Sequence, residues 1–456
     1  MKPFALEPMR RYFDSGMTRD RRFRQEQLDR LHRAVIQREQ DIAAALYSDL
    51  KKSPEEAWAT ETGLLIQEIQ YARRRLPRWM APRRVPTNLL NLPSRSRIYP
   101  EPKGVVLIIG TWNFPLQLLL IPLVGAMAAG NCVVLKPSEH APATAKLVEE
   151  LLASVFPPEY IRVVQGVGAE VVPALLEQFR FDHIFYTGST VVGRAIYQQA
   201  ARDLIPVTLE LGGKDPCIVE RDADLRMAAR RIAVAKFSNA GQMCVSPDYL
   251  LVHRDVKEDL VRQLADCIRR FYGPDPSADY NYGRIINQAQ FDRLAGYLSQ
   301  GKILLGGQSD REARYIAPTL MEGLSEDSDL LHQEIFGPIL PVFTFGDLQE
   351  ALDRIRRLPP PLSCYLFTRD RRVEQQWIRS LSFGNGCINN AAWQFTNPHL
   401  PFGGIGASGM GAYHGKYSFE VFTHFKALMK TPGWFDPALK YPPYQGRLRL
   451  FRRIIR

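Results

Sequence analysis

The sequence contains few of the residues that form metal sites or disulfides. Only 6 of its 456 residues are cysteine and 8 are histidine, and no two cysteines form a CxxC pair. Zinc sites need clustered ligands and disulfide frameworks need paired cysteines, so we predict neither. Sparse, unpaired cysteines are typical of a reducing compartment, and we expect a cytoplasmic location.

Long apolar runs are also scarce. Residues 1–20 mix arginine, aspartate and glutamate with apolar residues and lack the continuous apolar core of a signal peptide. Residues 104–135 are uncharged and long enough to cross a membrane, but proline, glycine and asparagine interrupt them. We therefore expect neither export nor a membrane span. The stretch 104–135 is interpreted as a buried strand, a loop, a buried helix, a turn and a second strand.

The overall composition is that of a globular protein with two or three domains: 45% of the residues are hydrophobic and 23% are charged. The net charge is +11 and the pI is about 9.3. A basic chain can bind nucleic acid, but here the lysines and arginines are scattered among acidic residues and match no recognition module. Nucleic acid is therefore not a predicted partner.

One cysteine, Cys244, stands in a stretch that suits a catalytic nucleophile. It ends the run FSNAGQMC at 237–244, where a helical pattern meets a Gly-Gln turn. A thiolate is a strong nucleophile, and a tight turn can direct backbone N–H groups at a developing oxyanion. The alternative is that Cys244 is a small buried hydrophobic residue, the commoner role of a lone cysteine.

A carboxylate, Glu210, ends a strand-like run and precedes two glycines in the sequence VTLELGGK at 207–214. A glutamate in this position can activate a water molecule as a general base. The alternative is a solvated glutamate at a strand end, followed by a glycine turn. The local sequence leaves both readings open.

Short apolar strands alternate with helical patterns from residue 105 onward, which predicts a parallel sheet covered on both faces. The predicted strands are 105–110, 132–135, 161–165 and 183–186, and the helices between and after them are 116–128, 142–155, 170–178 and 190–201. Parallel sheets bind ligands at the carboxyl ends of their strands. Distinctive residues follow three of these strands, namely Asn113, then Lys136 with Glu139, then Gly188 with Ser189. This coincidence predicts a dinucleotide site.

The run GSTVVG at 188–193 departs from the GxGxxG pattern of many dinucleotide sites. It nevertheless follows a predicted strand and opens a predicted helix, so its N–H groups can face a phosphate. The alternative is a plain helix cap provided by Ser189.

Together, these motifs resemble those of the aldehyde dehydrogenase superfamily. The resemblance rests on FxxxGQxC and LELGGK and on five further runs: GTWNFP at 110–115, KPSE at 136–139, YTGST at 186–190, EIFGP at 334–338 and LPFGG at 400–404. It covers the chain from about Phe23 to about Tyr444, and the ending at 408–419 is most similar to the class-three branch.

The resemblance implies an α/β fold with a Rossmann-type cofactor domain, a catalytic domain that is also a parallel-sheet βα unit, and a small β interface arm. The expected limits are 1–87 and 104–208 for the NAD-binding domain with N-terminal helices, 209–392 for the catalytic domain, and 88–103 with 393–445 for the arm. Through this arm the chain would form a homodimer.

The resemblance also implies the chemistry, an NAD(P)-dependent oxidation of an aldehyde to a carboxylic acid. Cys244 would attack the aldehyde to form a thiohemiacetal and then a thioester, and Glu210 would activate the hydrolytic water. The oxyanion would lie between the Cys244 backbone N–H and the side-chain amide of Asn113.

Cofactor contacts follow from the same resemblance. Lys136 would bind the adenosine ribose with Glu139 beside it, and Ser189 would contact the pyrophosphate within the Gly188 to Gly193 run. Glu334 would bind the nicotinamide ribose, with Phe336 packed next to it. A carboxylate at Glu139 would repel a ribose phosphate, so NAD is favoured and NADP is the second candidate.

Two other functional classes are weighed against this one. Relatives that release acyl-CoA or reduce an acyl phosphate tend to lack the base that Glu210 provides, so its presence favours hydrolysis. A non-catalytic protein that retains only the fold is the other class. The aromatic residues Trp112, Trp393, Phe395 and Phe402 indicate either an apolar tunnel for a medium- or long-chain aliphatic or aromatic aldehyde, or ordinary core.

Phe114 and Met243 differ from the residues that class-three relatives usually carry next to Asn113 and Cys244, which leaves the shape of the substrate pocket open.

The final segment, GRLRLFRRIIR at 446–456, would form a basic amphipathic helix. Its apolar residues fall on one side of a helical wheel and all its arginines except Arg447 on the other. Some class-three relatives carry a membrane-anchoring tail, and this one could lie on an anionic bilayer surface without spanning it. The alternative is that the tail packs on its own dimer or frays in solvent.

Overall fold

The computed structural model describes residues 4–325 and 327–455. Two large β-sheets, each flanked by helices, and a separate three-stranded sheet account for the architecture. This arrangement confirms the predicted α/β fold class with two βα units and a small β arm.

The described chain begins with helices that pack beside the first large sheet. They are α1 (Glu7–Asp14), α2 (Arg21–Gln37), α3 (Glu39–Leu50), α4 (Pro54–Ala57) and α5 (Gly63–Trp79), with a π-helical turn at Trp58–Thr62. Helix α2 begins where the Asp20 carboxylate accepts a hydrogen bond of 2.9 Å from the Phe23 N–H. Apolar residues at helical spacing in the sequence predict amphipathic helices over 23–50 and 53–76, which α2 to α5 confirm, whereas α1 has no counterpart in that prediction.

Two short strands, β1 (Arg83–Val85) and β2 (Arg95–Pro102), leave this helical layer. They pair antiparallel, with Arg83 opposite Ile98. The alternating pattern of 88–101 predicts an extended strand or hairpin, and a strand is present there but begins only at Arg95, because Leu89–Asn91 forms a 3₁₀ turn.

The first large sheet is parallel in its central strands and carries the order β5-β4-β3-β6-β7. Its strands are β3 (Val105–Ile109), β4 (Cys132–Lys136), β5 (Ile161–Val163), β6 (His183–Thr187) and β7 (Val207–Glu210), joined by α6 (Gln117–Ala129), α7 (Pro142–Val155), α8 (Gly168–Gln178) and α9 (Thr190–Arg202). Every residue of β3, β4 and α6 is buried, as expected for a sheet covered on both faces. The interpretation of 104–135 is confirmed.

The second large sheet has the order β10-β13-β14-β9-β8-β15-β16. Its strands are β8 (Pro216–Val219), β9 (Tyr249–His253), β10 (Lys302–Leu305), β13 (Thr319–Glu322), β14 (Ile339–Phe345), β15 (Ser363–Phe367) and β16 (Asn385–Ile388), and a hairpin of β11 (Ser309–Asp310) and β12 (Tyr315–Ile316) lies beside them. The helices are α10 (Leu225–Phe237), α11 (Lys257–Tyr272), α12 (Gln288–Tyr297), α13 (Asp329–His332), α14 (Leu348–Arg356) and α15 (Arg371–Ser380). The apolar spacing of the sequence predicts a helix over 291–300, and α12 begins three residues earlier because the Asn287 side chain caps it at the Gln290 N–H.

The last part of the chain contributes one strand to the first large sheet and one to the three-stranded arm. Strand β17 (Gly409–Met410) joins the edge of the first sheet beside β7, and β18 (Thr423–Lys430) completes the arm by pairing with β2. Helices α16 (Lys416–Val421) and α17 (Leu448–Ile454) complete the described structure. The first sheet thus includes Glu210 and Gly409–Met410. The domain limits at 208/209 and 392/393 stay a prediction.

In residues 4–325 and 327–455, no helix has both the length and the apolarity needed to cross a membrane. The same residues contain no cluster of three His, Cys, Asp or Glu side chains suited to a metal ion. All six cysteines carry free thiols.

Candidate active site

A cavity lies where the carboxyl ends of β6 and β7 face residues of the second sheet. It encloses about 820 Å³ of empty space, its open mouth included. Seven of the predicted site residues line it, namely Asn113, Gly188, Ser189, Glu210, Cys244, Glu334 and Phe336. Residues more than two hundred positions apart in the sequence therefore meet in one place.

Strand β7 brings Glu210 to the wall of this cavity at its final position. The side chain is only 3% exposed, and neither carboxylate oxygen has a hydrogen-bond partner among the described residues. Burial without a partner penalises the charged form and raises the pKa of Glu210 well above its usual value. A buried, unpaired carboxylate of this kind is suited to taking up a proton.

The turn that carries Cys244 is held in an unusual backbone conformation. After α10, Asn239 and Ala240 adopt the left-handed region with φ of 50° and 52°. Gly241 follows at φ 74°, and a Cβ atom there would lie 2.3 Å from the Gly337 carbonyl oxygen. Only glycine fits this close approach, so the turn needs the glycine of the GQMC run.

Gln242 anchors the same turn from inside the protein. Its side-chain amide donates to the Asn239 and Arg284 carbonyls at 2.9 Å each, and its side-chain oxygen accepts from the Ile286 N–H at 2.9 Å. Both the amide nitrogen and the amide oxygen of this fully buried glutamine are therefore hydrogen-bonded. These bonds fix the position of Gln242, two residues before Cys244.

The surroundings of Cys244 disfavour its thiolate form. Burial raises the pKa of Cys244, and the nearby carboxylates of Glu334, Asp215 and Glu210 raise it further. Nucleophilic attack by this sulfur therefore requires a base that removes its proton.

Asn113 connects the loop after β3 to the cysteine turn. Its side-chain amide donates to the Gln242 carbonyl at 3.1 Å, while its side-chain oxygen has no partner within the described part of the chain. Its backbone carbonyl accepts from the Asn239 side chain at 2.9 Å and from the Lys52 ammonium at 3.0 Å. The position of Asn113 is therefore determined by contacts on three sides.

A buried ion pair that the sequence did not reveal supports this arrangement. The Lys52 ammonium lies 2.6 Å from the Glu61 carboxylate, and both side chains are 0% exposed. The second Glu61 oxygen accepts from the backbone N–H groups of Leu116 and Gln117 at 2.9 and 3.2 Å. The pair thus links the N-terminal helices to the start of α6, next to Asn113.

The opposite side of the cavity is formed by the loop that contains Glu334 and Phe336. A Cβ atom at Gly212 would lie 1.8 Å from the Glu334 carboxylate, so glycine is required for Glu334 to lie against the chain there. Burial raises the pKa of Glu334 to about 8. Phe336 adopts φ 53° and packs edge-on against Trp112, with ring centroids 5.1 Å apart.

Three predicted cofactor residues lie outside the cavity lining. Lys136 and Glu139 form an ion pair at the carboxyl end of β4, and Glu139 also accepts from the Gly168 N–H at 2.8 Å. Gly193 lies in α9, where a Cβ atom would lie 2.6 Å from the Leu211 side chain. Gly193 therefore allows α9 to pack closely on the sheet.

A second cavity reaches Cys244 from the other side and is bordered mainly by apolar and aromatic residues. It encloses about 420 Å³ of empty space and includes Phe395 and Phe402, as predicted for an apolar tunnel. Trp393 is 51% exposed and lines neither cavity, and Trp112 belongs to the first one. Tyr413, which the sequence analysis did not single out, borders both cavities.

The buried ion pair gives a testable prediction. We expect Lys52→Met to lower the free energy of unfolding by about 3–5 kcal/mol, because Glu61 would remain buried without its partner. Lys52→Met/Glu61→Gln should recover part of that loss. Denaturant unfolding measures each value. Lys51→Met is the matched control, since Lys51 forms no ion pair within the described residues; equal losses in Lys51→Met and Lys52→Met would contradict the assignment.

Comparison with known proteins identifies the family. The aldehyde dehydrogenase family profile matches residues 5–428. Aldehyde dehydrogenase family 3 member B1 of Homo sapiens is 45% identical over 450 residues, covering 97% of this chain and 95% of the human protein. Staphylococcus aureus AldH in a substrate-bound state aligns with a TM-score of 0.96 at 43% identity over 99% of this chain and 98% of that one. A NAD-dependent aldehyde dehydrogenase from Sinorhizobium meliloti aligns with a TM-score of 0.87 at 31% identity, over 95% and 87% of the two chains. The chain described here belongs to the aldehyde dehydrogenase family.

Proposed function

We propose that this protein oxidises an aldehyde to the carboxylic acid, with NAD as the hydride acceptor and Cys244 as the nucleophile. The observation that carries the proposal is the shared cavity of Cys244, the unpartnered Glu210 carboxylate and Asn113. A nucleophile, a base and an amide donor in one buried space are the groups that acyl chemistry on an aldehyde requires.

The reaction begins at the Cys244 sulfur. Because these surroundings disfavour the thiolate, the Cys244 proton must leave to water before the sulfur attacks, and the Glu210 carboxylate stays available for the later hydrolysis. The sulfur then bonds to the carbonyl carbon, and the oxygen that becomes negative is held by the Cys244 N–H and the Asn113 amide. Losing one such donor costs about 10²- to 10³-fold in rate. After hydride loss leaves a thioester, Glu210 activates the water that releases the acid.

Residues around the first cavity fit a dinucleotide. Gly188 and Ser189 stand at the start of α9, where helix N–H groups favour a phosphate, and Gly212 leaves room beside Glu334. When bound, NAD supplies the hydride acceptor. Lys136 and Glu139 would hold the adenosine ribose through the hydroxyl groups. The Glu139 carboxylate favours NAD over NADP, which is the second candidate, and the Sinorhizobium meliloti relative is NAD-dependent.

The second cavity supports a substrate with an apolar body. Phe395, Phe402 and Met243 border it next to Cys244, which suits a medium- or long-chain aliphatic or an aromatic aldehyde. The competing proposal is an acyl transfer to CoA or phosphate. The presence of Glu210 argues against acyl transfer, because a base beside Cys244 can activate the water that hydrolyses the thioester.

A homodimer and the predicted domain division complete the proposal. Strand β18 forms one edge of the small sheet and is exposed along most of its length, which supports pairing with a second copy through the arm. We propose that residues 88–103 and 393–445 form this arm. Sedimentation at the mass of a single chain would rule the dimer out.

The free cysteines support a cytoplasmic location.

Removing the nucleophile tests the mechanism directly. Cys244→Ala should abolish NADH production from aldehyde, because no covalent intermediate can form. NAD binding, measured by calorimetry, should stay close to that of the wild type, since the thiol contributes little to cofactor affinity. Cys267→Ala, at a half-buried thiol on α11, is the matched control and should retain activity. Turnover by Cys244→Ala near the wild-type rate would refute the assignment.

Glu210 is tested by rapid kinetics and by pH. Glu210→Gln should give a burst of NADH and then slow turnover, because the thioester accumulates. Only the deprotonated carboxylate accepts a proton, so wild-type turnover should rise as the pH increases through the raised pKa of Glu210, and the variant should lose this step. Unchanged steady-state turnover would place the base elsewhere. Stimulation of the wild type by CoA would favour acyl transfer instead.

The C-terminal tail is proposed to contact membranes weakly and in a salt-dependent way. Helix α17 places Leu448 and Leu450 at the surface, 59% and 42% exposed, while Phe451 packs on Tyr444 with ring centroids 5.7 Å apart. Arginines near an anionic bilayer contribute about 1 kcal/mol each. Arg456, which the sequence analysis places on the basic side of the tail helix, lies outside the described residues.

Co-sedimentation with anionic vesicles tests the tail. The full chain should pellet at low salt and a chain ending at Tyr444 should not, because the truncation removes the arginines and the exposed leucines. Neutral vesicles are the control and should pellet neither protein. Equal pelleting of the two chains on anionic vesicles would leave the tail packed on the dimer or free in solvent.

A further inference from the structure

A third pocket lies in the second large sheet, separate from both cavities at Cys244. It encloses about 630 Å³ of empty space and shares no lining residue with either of them. Tyr249 of β9 and Phe343 of β14 form one wall, and Arg354, Arg357 and Leu358 at the end of α14 form another. The catalytic proposal assigns no role to this pocket.

The two arginines in the pocket are not neutralised. Within the described residues neither Arg354 nor Arg357 forms an ion pair, whereas Arg356 on the same helix pairs with Asp353 at 2.8 Å. The Arg354 guanidinium lies 4.2 Å from the centre of the Phe343 ring, which holds it against the pocket wall. Two uncompensated guanidinium groups near one pocket favour an anionic ligand.

The hydroxyl of Tyr249 is enclosed by protein. Tyr249 is only 3% exposed, and its hydroxyl has no hydrogen-bond partner among residues 4–325 and 327–455. Buried hydroxyl groups in folded proteins are nearly always paired with another polar group. The Tyr249 hydroxyl is also inaccessible from the pocket, so the ring of Tyr249, and not its hydroxyl, forms the pocket wall.

Lys214, which forms an ion pair with Asp248, and His332 also line the pocket, and the rest of the lining is apolar. Phe343, Leu358 and Leu331 line the pocket and can cover a short hydrocarbon chain. A purely ionic ligand such as free phosphate would leave this surface unused, and a purely apolar one would leave both arginines unpaired. The lining therefore suits a ligand that has both an anionic group and an apolar part.

We propose that this pocket binds a small amphiphilic anion. Its carboxylate or phosphate head would lie between Arg354 and Arg357, and its alkyl chain would pack on Phe343 and Leu358. The proposal does not depend on the catalytic assignment, because binding to the pocket requires no turnover. A carboxylate with a medium-length chain also belongs to the class of the proposed product.

Calorimetry on the full chain with sodium octanoate and with octyl phosphate tests the proposal. At least one of them should bind with saturation, and the stronger of the two identifies the preferred head group. Octylammonium should not bind, because its charge is of the wrong sign. Binding of neither anion, or equal binding of octylammonium, would overturn the proposal.

Variants locate the binding. Arg354→Gln/Arg357→Gln should weaken the anion by about tenfold or more, since charge-assisted hydrogen bonds to the head group are lost. The matched control Arg356→Gln should leave it unchanged, because Arg356 pairs with Asp353 and does not line the pocket. Unchanged affinity in the double variant would place the anion elsewhere, for example in the cavity at Cys244. If the double variant is misfolded by circular dichroism, the exposed Arg357→Gln alone serves the same comparison.

Discussion

The buried pair of Lys52 and Glu61 is the contact on which the geometry around Cys244 depends. Two opposite charges with no exposure to water are costly unless each is fully paired, and here the pair shares three further hydrogen bonds with backbone groups. One of these reaches the Asn113 carbonyl. The N-terminal helices therefore do more than cover the first sheet, because they determine where the loop after β3 can lie.

From Asn113 the constraint passes to the cysteine turn. The Asn113 side chain and backbone both contact residues 239–242, and Gln242 is in turn held by Arg284 and Ile286 of the second sheet's region. The two large sheets are thus joined at the cavity by hydrogen bonds, although the side-chain oxygens of Asn113 and Asn239 have no partner among the described residues. Against this background the unpaired carboxylate of Glu210 is a departure from the usual pairing of buried polar atoms, and such departures mark functional sites.

Much of this could be predicted from the sequence because the relevant signals are local. Apolar strands followed by helical periodicity gave β3, β4 and β6 to within a residue or two, and the glycines near Glu210 and Cys244 marked turns that need them. The helix start at Asn287 was missed because a cap depends on one side chain, while the prediction relied on apolar spacing.

Other features depend on contacts between distant residues, and no local pattern carries them. Lys52 and Glu61 look like ordinary charged residues of amphipathic helices, and only tertiary burial distinguishes them from their neighbours. Trp393 was grouped with the tunnel residues because aromatic side chains favour burial, yet it lies at the surface. The pairing of Lys136 with Glu139 follows from their spacing, but their separation from the main cavity does not.

The last part of the chain explains why the site is complete only when the whole protein has folded. Gly409 of β17 pairs with Glu210, and a Cβ atom at Gly409 would lie 2.3 Å from the Leu209 carbonyl, so this strand can approach β7 only as glycine. Phe402 and Tyr413 form a bridge to each other and border both cavities. The segment after residue 400 therefore helps to enclose Glu210 and Cys244 together. This enclosure contributes to the burial of the Glu210 carboxylate, and that burial raises the pKa of Glu210.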